Sequence, residues 1–422
     1  MTQRAAETSS DYTHPRRPFL IRAYNTTARR RLDHSLQQLT ADALMWQAAR
    51  QEKWDDFGPD SFIEPLGVLL LAIQQEARLN PFGLFVTRQR LLNLLKNRLR
   101  VNRLLKAHPE IKEIELQPPI LITGLQRTGT TLLHRLLSMD PAHRALMSYE
   151  ALNPAPLHAN PSIDQRKKLK LARTAQKALR YMAPDFFAIH PVEATAPEED
   201  VLLLDYAMCS TVPESTLRVP GYASWIEQHD NAPAYEYMKT LLQVLSWCVP
   251  GRRWILKSPH HLEYLSEFLR VFPKATVVMS HRDPVYTLPS FCSMMAHGRG
   301  LFSDEVDVLE IGTHWLHKTA RMLRIGHEVR RQHPVSQFVD IQYHQLMQHP
   351  IAQIREIYTC ATLPFTTAME QQIQTGLTRN QQHRYGIHRY DMASFGLSRE
   401  RIVKAYGSYI PEFIEGIQND PE

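Results

Sequence analysis

The densest chemistry in the sequence lies at Gly124-Leu-Gln-Arg-Thr-Gly-Thr-Thr131. Two glycines four residues apart, followed by hydroxyl side chains, have the spacing of a phosphate-holding loop. The N–H groups of such a loop and the N-terminus of the next helix attract an anion. Glycine permits the tight turn and lets backbone approach the anion closely. The cation here is Arg127, and Thr130 stands where a nucleotide triphosphatase carries its lysine. Without that lysine, hydrolysis of ATP or GTP loses a central element. A loop of Arg127, Thr128, Gly129, Thr130 and Thr131 suits a smaller anion, held by guanidinium and hydroxyls with no required metal.

The surrounding pattern supplies the elements such a loop needs. Pro119-Ile-Leu-Ile-Thr-Gly124 is a short apolar run ending in glycine, which predicts a buried strand, and Thr130 to Met139 predicts a helix directly after it. Arg253–Lys257, Ala275–Ser280 and Gln337–Ile341 read as further strands. Leu262–Phe272, Val285–Ala296, Val306–Arg331 and Pro350–Cys360 read as the intervening helices. Strands alternating with helices imply an α/β fold with a parallel sheet, its ligands at the carboxyl ends of the strands. Before Pro118 the pattern is helical: a helix from Thr40, then Glu64–Glu76 and Thr87–Lys106, broken at Asn80-Pro81. Asp60 or Ser61 is the expected N-cap after the Gly58-Pro59 turn. The expected organisation is a flexible tail over 1–17, a helical region over 18–115 packed on the core, and an α/β domain over 116–422. An insertion at about 154–251, rich in Phe186, Phe187, Tyr206, Trp225, Tyr235, Tyr237 and Trp247, could line an apolar pocket or simply form a core.

The loop with its flanking residues resembles the 5′-phosphosulfate loop of PAPS-dependent sulfotransferases, in the bacterial branch that uses arginine rather than lysine. His281-Arg-Asp-Pro-Val-Tyr-Thr-Leu-Pro-Ser290 is similar to the family's 3′-phosphate motif, with Arg282 and Ser290 at its two key positions. Lys257-Ser-Pro-His-His261 resembles the Lys-Ser-Pro-His segment that follows a central strand of the family. Gly386 to Leu397 resembles the C-terminal segment of the same branch. The resemblance runs from about Glu64 to Phe413 and implies the sulfotransferase fold, a P-loop-type parallel sheet flanked by helices with an N-terminal helical extension.

What it implies chemically is transfer of the sulfuryl group of PAPS to a hydroxyl of a small or lipid-like acceptor, releasing PAP without a metal. Arg127, Thr128, Gly129, Thr130 and Thr131 would hold the 5′ side. Arg282 and Ser290 would hold the 3′-phosphate, where a guanidinium fork pairs well with phosphate oxygens. His388 and Arg389 would contact the 3′-phosphate from the C-terminal segment. Lys257 and Arg127 would neutralise the leaving group. For the base there are two candidates. Glu150 lies at the distance from Arg127 seen for the catalytic glutamate of several bacterial and heparan-type relatives. His260 lies near the position of the catalytic histidine of the cytosolic enzymes, one residue out of register. Glu198-Glu-Asp200 could order an acceptor pocket or simply begin a helix, and His190 could line the acceptor site.

Composition sets the outer limits. The chain has 422 residues, 43% hydrophobic and 22% charged, with formal charge +6 at pH 7. That is ordinary globular usage with a mild preference for anionic ligands. The longest apolar run, Leu66–Ile73, is too short to span a bilayer. The polar N-terminus lacks an apolar leader core, so a cytoplasmic location is expected. No basic stripe with interleaved aromatics points to nucleic acid. Cys209, Cys248, Cys292 and Cys360 are far apart, without a metal-ligand pair, and are expected to be reduced and mostly buried. The basic helix Leu91–Lys106 is expected to pack by its leucines rather than lie on a membrane, so peripheral membrane contact is possible but not favoured. Oligomeric state is left open. An ATP-dependent kinase or phosphotransferase is the alternative, and only Asp283 is placed to hold its metal. A non-catalytic nucleotide-binding or lipid-surface protein is a third class.

Overall fold

A computed structural model describes residues 11–12, 15–379 and 390–414. Its centre is a sheet of five strands: β1 (Ile120–Gly124), β2 (His143–Ala145), β3 (Arg253–Lys257), β4 (Thr276–His281) and β5 (Phe338–Gln342). All pairs are parallel, in the order 2-3-1-4-5. β1 is therefore central, with β3 and β4 on either side. The chain first builds β2 and β3 on one flank, then crosses to build β4 and β5 on the other. The crevice at the carboxyl end of β1 is the switch point where open α/β sheets bind ligands.

Side chains alternate between the two faces of a strand, and here both faces are apolar. Leu121, Leu256, Val277 and Met279 belong to one core, which runs on into the N-terminal helices. Ile120, Ile122, Ile255, Val278, Val339 and Ile341 belong to the other, with Leu133, Leu136 and Leu137 of the helix after β1. Fully buried strands of this kind need helices on both sides. Those on the second face include Thr130–Leu137, Pro350–Cys360 and Thr367–Arg379.

The N-terminal helices differ from expectation in their starts. The helix expected from Thr87 begins at Pro81, where the missing N–H costs nothing in the first turn. Asn80 caps it, its Oδ1 accepting from Gly83 N at 2.8 Å. Gly83 is required by packing, since a Cβ would fall 2.1 Å from the Phe302 carbonyl oxygen. Neither Asp60 nor Ser61 acts as a cap: a short 3₁₀ turn, Asp60–Phe62, leads into the helix Ile63–Glu76 instead.

The basic helix, now Pro81–Ala107, packs inward. Leu91, Leu95 and Leu99 are buried, and so is Arg98. The Arg98 guanidinium donates to the Tyr206 carbonyl at 2.8 Å and the Pro59 carbonyl at 2.9 Å, between the Phe62 and Tyr237 rings. Arg100 grips Glu52 with two bonds of 2.6 and 2.8 Å. Of the cysteines, Cys209 and Cys292 are buried and Cys248 is exposed; all four are free. No helix among the described residues is long and apolar enough to cross a membrane.

Candidate active site

The loop after β1 is shaped by close packing against β4. Gly124 has φ +138°, and a Cβ there would sit 2.5 Å from the Ser280 carbonyl oxygen. Ser280 Oγ in turn donates to the Thr128 carbonyl. Gly129 has φ +88°, and a Cβ would press on Leu346 at 2.8 Å. Arg127 takes φ +69°, a region costly for a side-chain-bearing residue. Its side chain lines the cavity at the strand ends, where burial works against its charge.

Carboxyl ends of four strands meet at a cavity of about 450 Å³. From the β1 turn come Arg127, Gly129, Thr130 and Thr131; Arg282 follows β4, and Tyr343 follows β5. Arg282 Nη1 donates to the Arg127 carbonyl at 3.2 Å, and its guanidinium lies 4.0 Å from the centre of the Tyr343 ring. Two cations thus share one opening. Stacking on the ring fixes the plane of the Arg282 fork. Leu132, Met294, Met347 and Leu377 give the cavity an apolar wall.

The third side is acidic and imidazole. Glu199 and His190 both line the cavity. Lys257, at the end of β3, is 4% exposed and donates from Nζ to Glu199 Oε1 at 2.6 Å. Ser258 Oγ donates to Glu199 Oε2 at 3.3 Å. Behind this pair, Asp200 Oδ1 accepts the Lys257 N–H at 3.1 Å, and Oδ2 is bonded to His261 Nε2 at 2.9 Å. Burial works to raise the Asp200 carboxyl, but His261 beside it holds it below the usual range. Burial holds His190 below the ordinary imidazole value, against the opposite pull of Glu198 and Glu199. His190 is therefore neutral at pH 7.

The Glu198–Asp200 segment owes its place to a short pairing with the chain after β2. Met147 and Pro197 form an antiparallel bridge, with Ser148 N to the Ala196 carbonyl at 3.0 Å and Glu198 N to the Leu146 carbonyl at 2.7 Å. Glu150 supports that turn from below. Its Oε1 accepts from Arg144 Nη2 at 2.7 Å and its Oε2 from Met147 N at 3.2 Å. Both carboxylate oxygens are engaged in a buried ion pair and a helix cap.

The expected residues thus divide. Arg127, Gly129, Thr130, Thr131, Arg282 and His190 line the cavity. Lys257 reaches its edge through Glu199. Glu150 and His260 are absent from the lining. His260 is 2% exposed, its Nδ1 3.3 Å from Thr211 Oγ1 and its ring 4.6 Å from that of Tyr264. Thr128 also turns away, its Oγ1 donating to the Leu125 carbonyl at 2.6 Å, so it shapes the loop. Ser290 is buried on the helix Pro284–Phe302, one turn before the lining residue Met294. His388 and Arg389 fall outside the described residues; Tyr390 beyond them donates to the Tyr286 carbonyl at 3.3 Å. Asp283 Oδ1 accepts from Val285 N at 2.9 Å as a helix cap. No cluster of three or more metal-binding side chains occurs among the described residues.

Glu199, Ser280 and Tyr343 are the contributors that sequence reasoning undervalued. Glu199 stood in a noted acidic run. A serine inside a strand and a lone tyrosine after one carry no pattern to find them by.

Fold and cavity together define an α/β protein that gathers guanidinium groups and a glycine turn at the carboxyl ends of its central strands. The sulfotransferase family model matches residues 118–367, and the chain belongs to that family. It is similar to omega-hydroxy-beta-dihydromenaquinone-9 sulfotransferase Stf3 of Mycobacterium bovis and of Mycobacterium tuberculosis. With each, identity is 28% over 260 residues, 57% of this chain and 62% of the relative. The match thus spans less than two thirds of these curated relatives. Sulfotransferase STF1 of M. tuberculosis H37Rv superposes with TM-score 0.74 at 30% identity, over 87% of this chain and 98% of that one. STF9 of Mycobacterium avium gives TM-score 0.80 at 26% identity, over 89% and 97%.

Proposed function

We propose that this protein transfers the sulfuryl group of PAPS to a hydroxyl of a lipid-like acceptor and releases PAP. The observation that carries the reading is the shared cavity of Arg127 and Arg282 beside the Gly129–Thr131 turn. Two separate cations suit a donor with phosphate groups at two places on adenosine. The turn, Arg127, Thr130 and Thr131 would take the 5′ side, and Arg282 the 3′-phosphate, with Ser290 and the segment holding His388 and Arg389 adding to it. Asp283 is occupied as a cap and the loop lacks a lysine, which disfavours an ATP-dependent kinase. The requirement for no metal belongs to the same proposal.

In the reaction, an acceptor oxygen forms a bond to sulfur as the bond from sulfur to the bridging oxygen breaks, and the acceptor proton must leave. Glu199 is the carboxylate placed on the cavity wall to take it, and His190 stands beside it. Lys257 then neutralises charge on the departing oxygen, its ammonium being bonded to the lining residue Glu199. This reassigns the base from Glu150, whose oxygens are both committed elsewhere. The apolar wall of Leu132, Met294, Met347 and Leu377 supports an acceptor with an apolar body, in line with the menaquinone derivative in the name of the Stf3 relatives. We further propose that the 154–251 insertion, which supplies His190 and Glu199, faces the acceptor, and that 18–115 is a helical region packed on the 116–422 core, in a cytoplasmic protein.

The test is calorimetric titration with PAP in the absence of magnesium, followed by transfer of labelled sulfate from PAPS to hydroxylated isoprenoid lipids. Saturable PAP binding and a labelled lipid product are expected. No PAP binding, or turnover of ATP with magnesium, rejects the reading.

A further inference from the structure

We propose that the helices at the N-terminus form a docking surface for an anionic membrane. Between Arg16 and Arg31 the chain has six arginines and no acidic residue. Arg17 is spent internally on the Gly300 and Ser303 carbonyls. Arg22, Arg30 and Arg31 are exposed, as is Arg29, which lies 3.7 Å from Asp304. The same surface holds large apolar side chains in water: Phe19 is 70% exposed, Leu20 66% and Trp46 64%. Leu20 and Tyr24 stand one turn apart on the helix Phe19–Ala28, and Tyr24 lies 6.2 Å from the exposed Phe85. Tyr24, Trp46, Phe85, Arg30, Arg31 and Arg88 line one open groove of about 1390 Å³. Scattered exposed apolar residues mean little, but aromatics gathered in one groove mark an interaction site.

Charge decides the occupant. The groove carries Arg30, Arg31 and Arg88 against one acid, Asp42, so a second copy of this chain would set arginine chiefly against arginine. A membrane with anionic headgroups supplies both what the guanidinium groups attract and an apolar layer for Leu20, Phe19 and Trp46. The neighbouring helix, Pro161–Met182, extends the charge with six exposed Lys and Arg, while its buried Lys168 pairs with its Asp164. It meets the first helix through Leu179 and Met182, which pack with Ile21, Ala183 and Leu301.

Two helices lead from this surface to the cavity. Leu301 packs under Ile21, and Met294, seven residues earlier on the same helix, lines the cavity. Ala183 packs there as well, and His190, seven residues later, lines the cavity. The seven helical residues from Met294 to Leu301 span about 10 Å, and the second link is the short helix Pro184–Ile189. The surface would thus hold the cavity close to a bilayer from which a lipid-like acceptor is drawn. That purpose rests on the proposed function; the binding itself does not.

The test is co-sedimentation of the full chain with vesicles of phosphatidylcholine, alone or with phosphatidylglycerol. Binding is expected only with the anionic lipid, falling as salt is raised past about 0.15 M. Arg30→Glu/Arg31→Glu should weaken it at least about tenfold, each arginine near an anionic surface being worth roughly fivefold. Leu20→Ala/Trp46→Ala should weaken it as well, with the melting temperature and PAP titration unchanged in both variants. Absence of binding, equal binding to neutral vesicles, or wild-type binding by both variants overturns the proposal and leaves the groove to a protein partner. PAP titration separately reports whether the catalytic reading holds.

Discussion

Lys257 Nζ and Glu199 Oε1 lie 2.6 Å apart, one at the end of β3 and the other on a segment held by the Met147–Pro197 bridge. The pair neutralises itself at rest. In the proposed reaction an arriving donor would give the ammonium a second anionic partner and leave the carboxylate to accept a proton. Replacing Glu199 by Gln should cut kcat about 10²–10⁴-fold while leaving PAP affinity within a few-fold. Steady-state kinetics beside calorimetry reads both, and near-normal turnover would remove Glu199 as the base.

Glu150 should behave differently. Removing it leaves the Arg144 guanidinium, stacked 4.6 Å from the Trp254 ring, buried without its carboxylate. Breaking one side of a buried pair costs about 3–5 kcal/mol, so Glu150→Ala should lower stability by that order in urea denaturation. A large loss of kcat at wild-type stability would return the base to Glu150.

Arg282 is held by geometry that lysine cannot copy. A planar fork stacked on Tyr343 keeps its donors in plane, whereas an ammonium on a flexible stem does not. Arg282→Lys should weaken PAP at least about tenfold despite the retained charge, and Tyr343→Ala should produce a smaller loss. Equal PAP affinity in wild type and Arg282→Lys would exclude Arg282 as a phosphate ligand.

Two buried histidines make the fold acid-sensitive. Burial pushes His134 down to about 3 and His327 down to about 4. In the unfolded chain both take up protons near pH 6.5, while in the folded chain they do not. The unfolded state therefore binds more protons as pH falls from 6.5, and stability declines by about 1.4 kcal/mol per pH unit for each group. His327 ceases to add to the slope near pH 4 and His134 near pH 3. Denaturant midpoints measured between pH 7 and 4.5 should fall steadily, and a flat profile would contradict the buried neutral state.

Strands β1, β3, β4 and β5 are legible in the sequence because each is a compact apolar run before a turn. β2 is not: His143-Arg-Ala145 is short, polar and at the sheet edge, and only pairing with β3 makes it a strand. The glycine turn, Arg282 and Lys257 were legible because their spacing is local. Glu199 was noted but undervalued, because its partner is 58 residues away in sequence and the bridge that delivers it involves Met147 and Pro197, which carry no pattern. Thr128 shows a side chain whose use the sequence does not reveal, its hydroxyl bonding the Leu125 carbonyl. A hydroxyl in a loop can bond its own backbone as readily as a ligand, and type and position do not separate the two.

Met147 and Pro197 clasp the chain at two points, and everything between them, including the basic helix Pro161–Met182 and His190, emerges and returns through that clasp. The clasp, with Glu150 bonded to Met147 N beneath it, keeps Glu199 against Lys257 while the chain between departs and returns. Exchanging the excursion between relatives would therefore be expected to swap acceptor preference as a cassette, with the sulfuryl-handling half untouched.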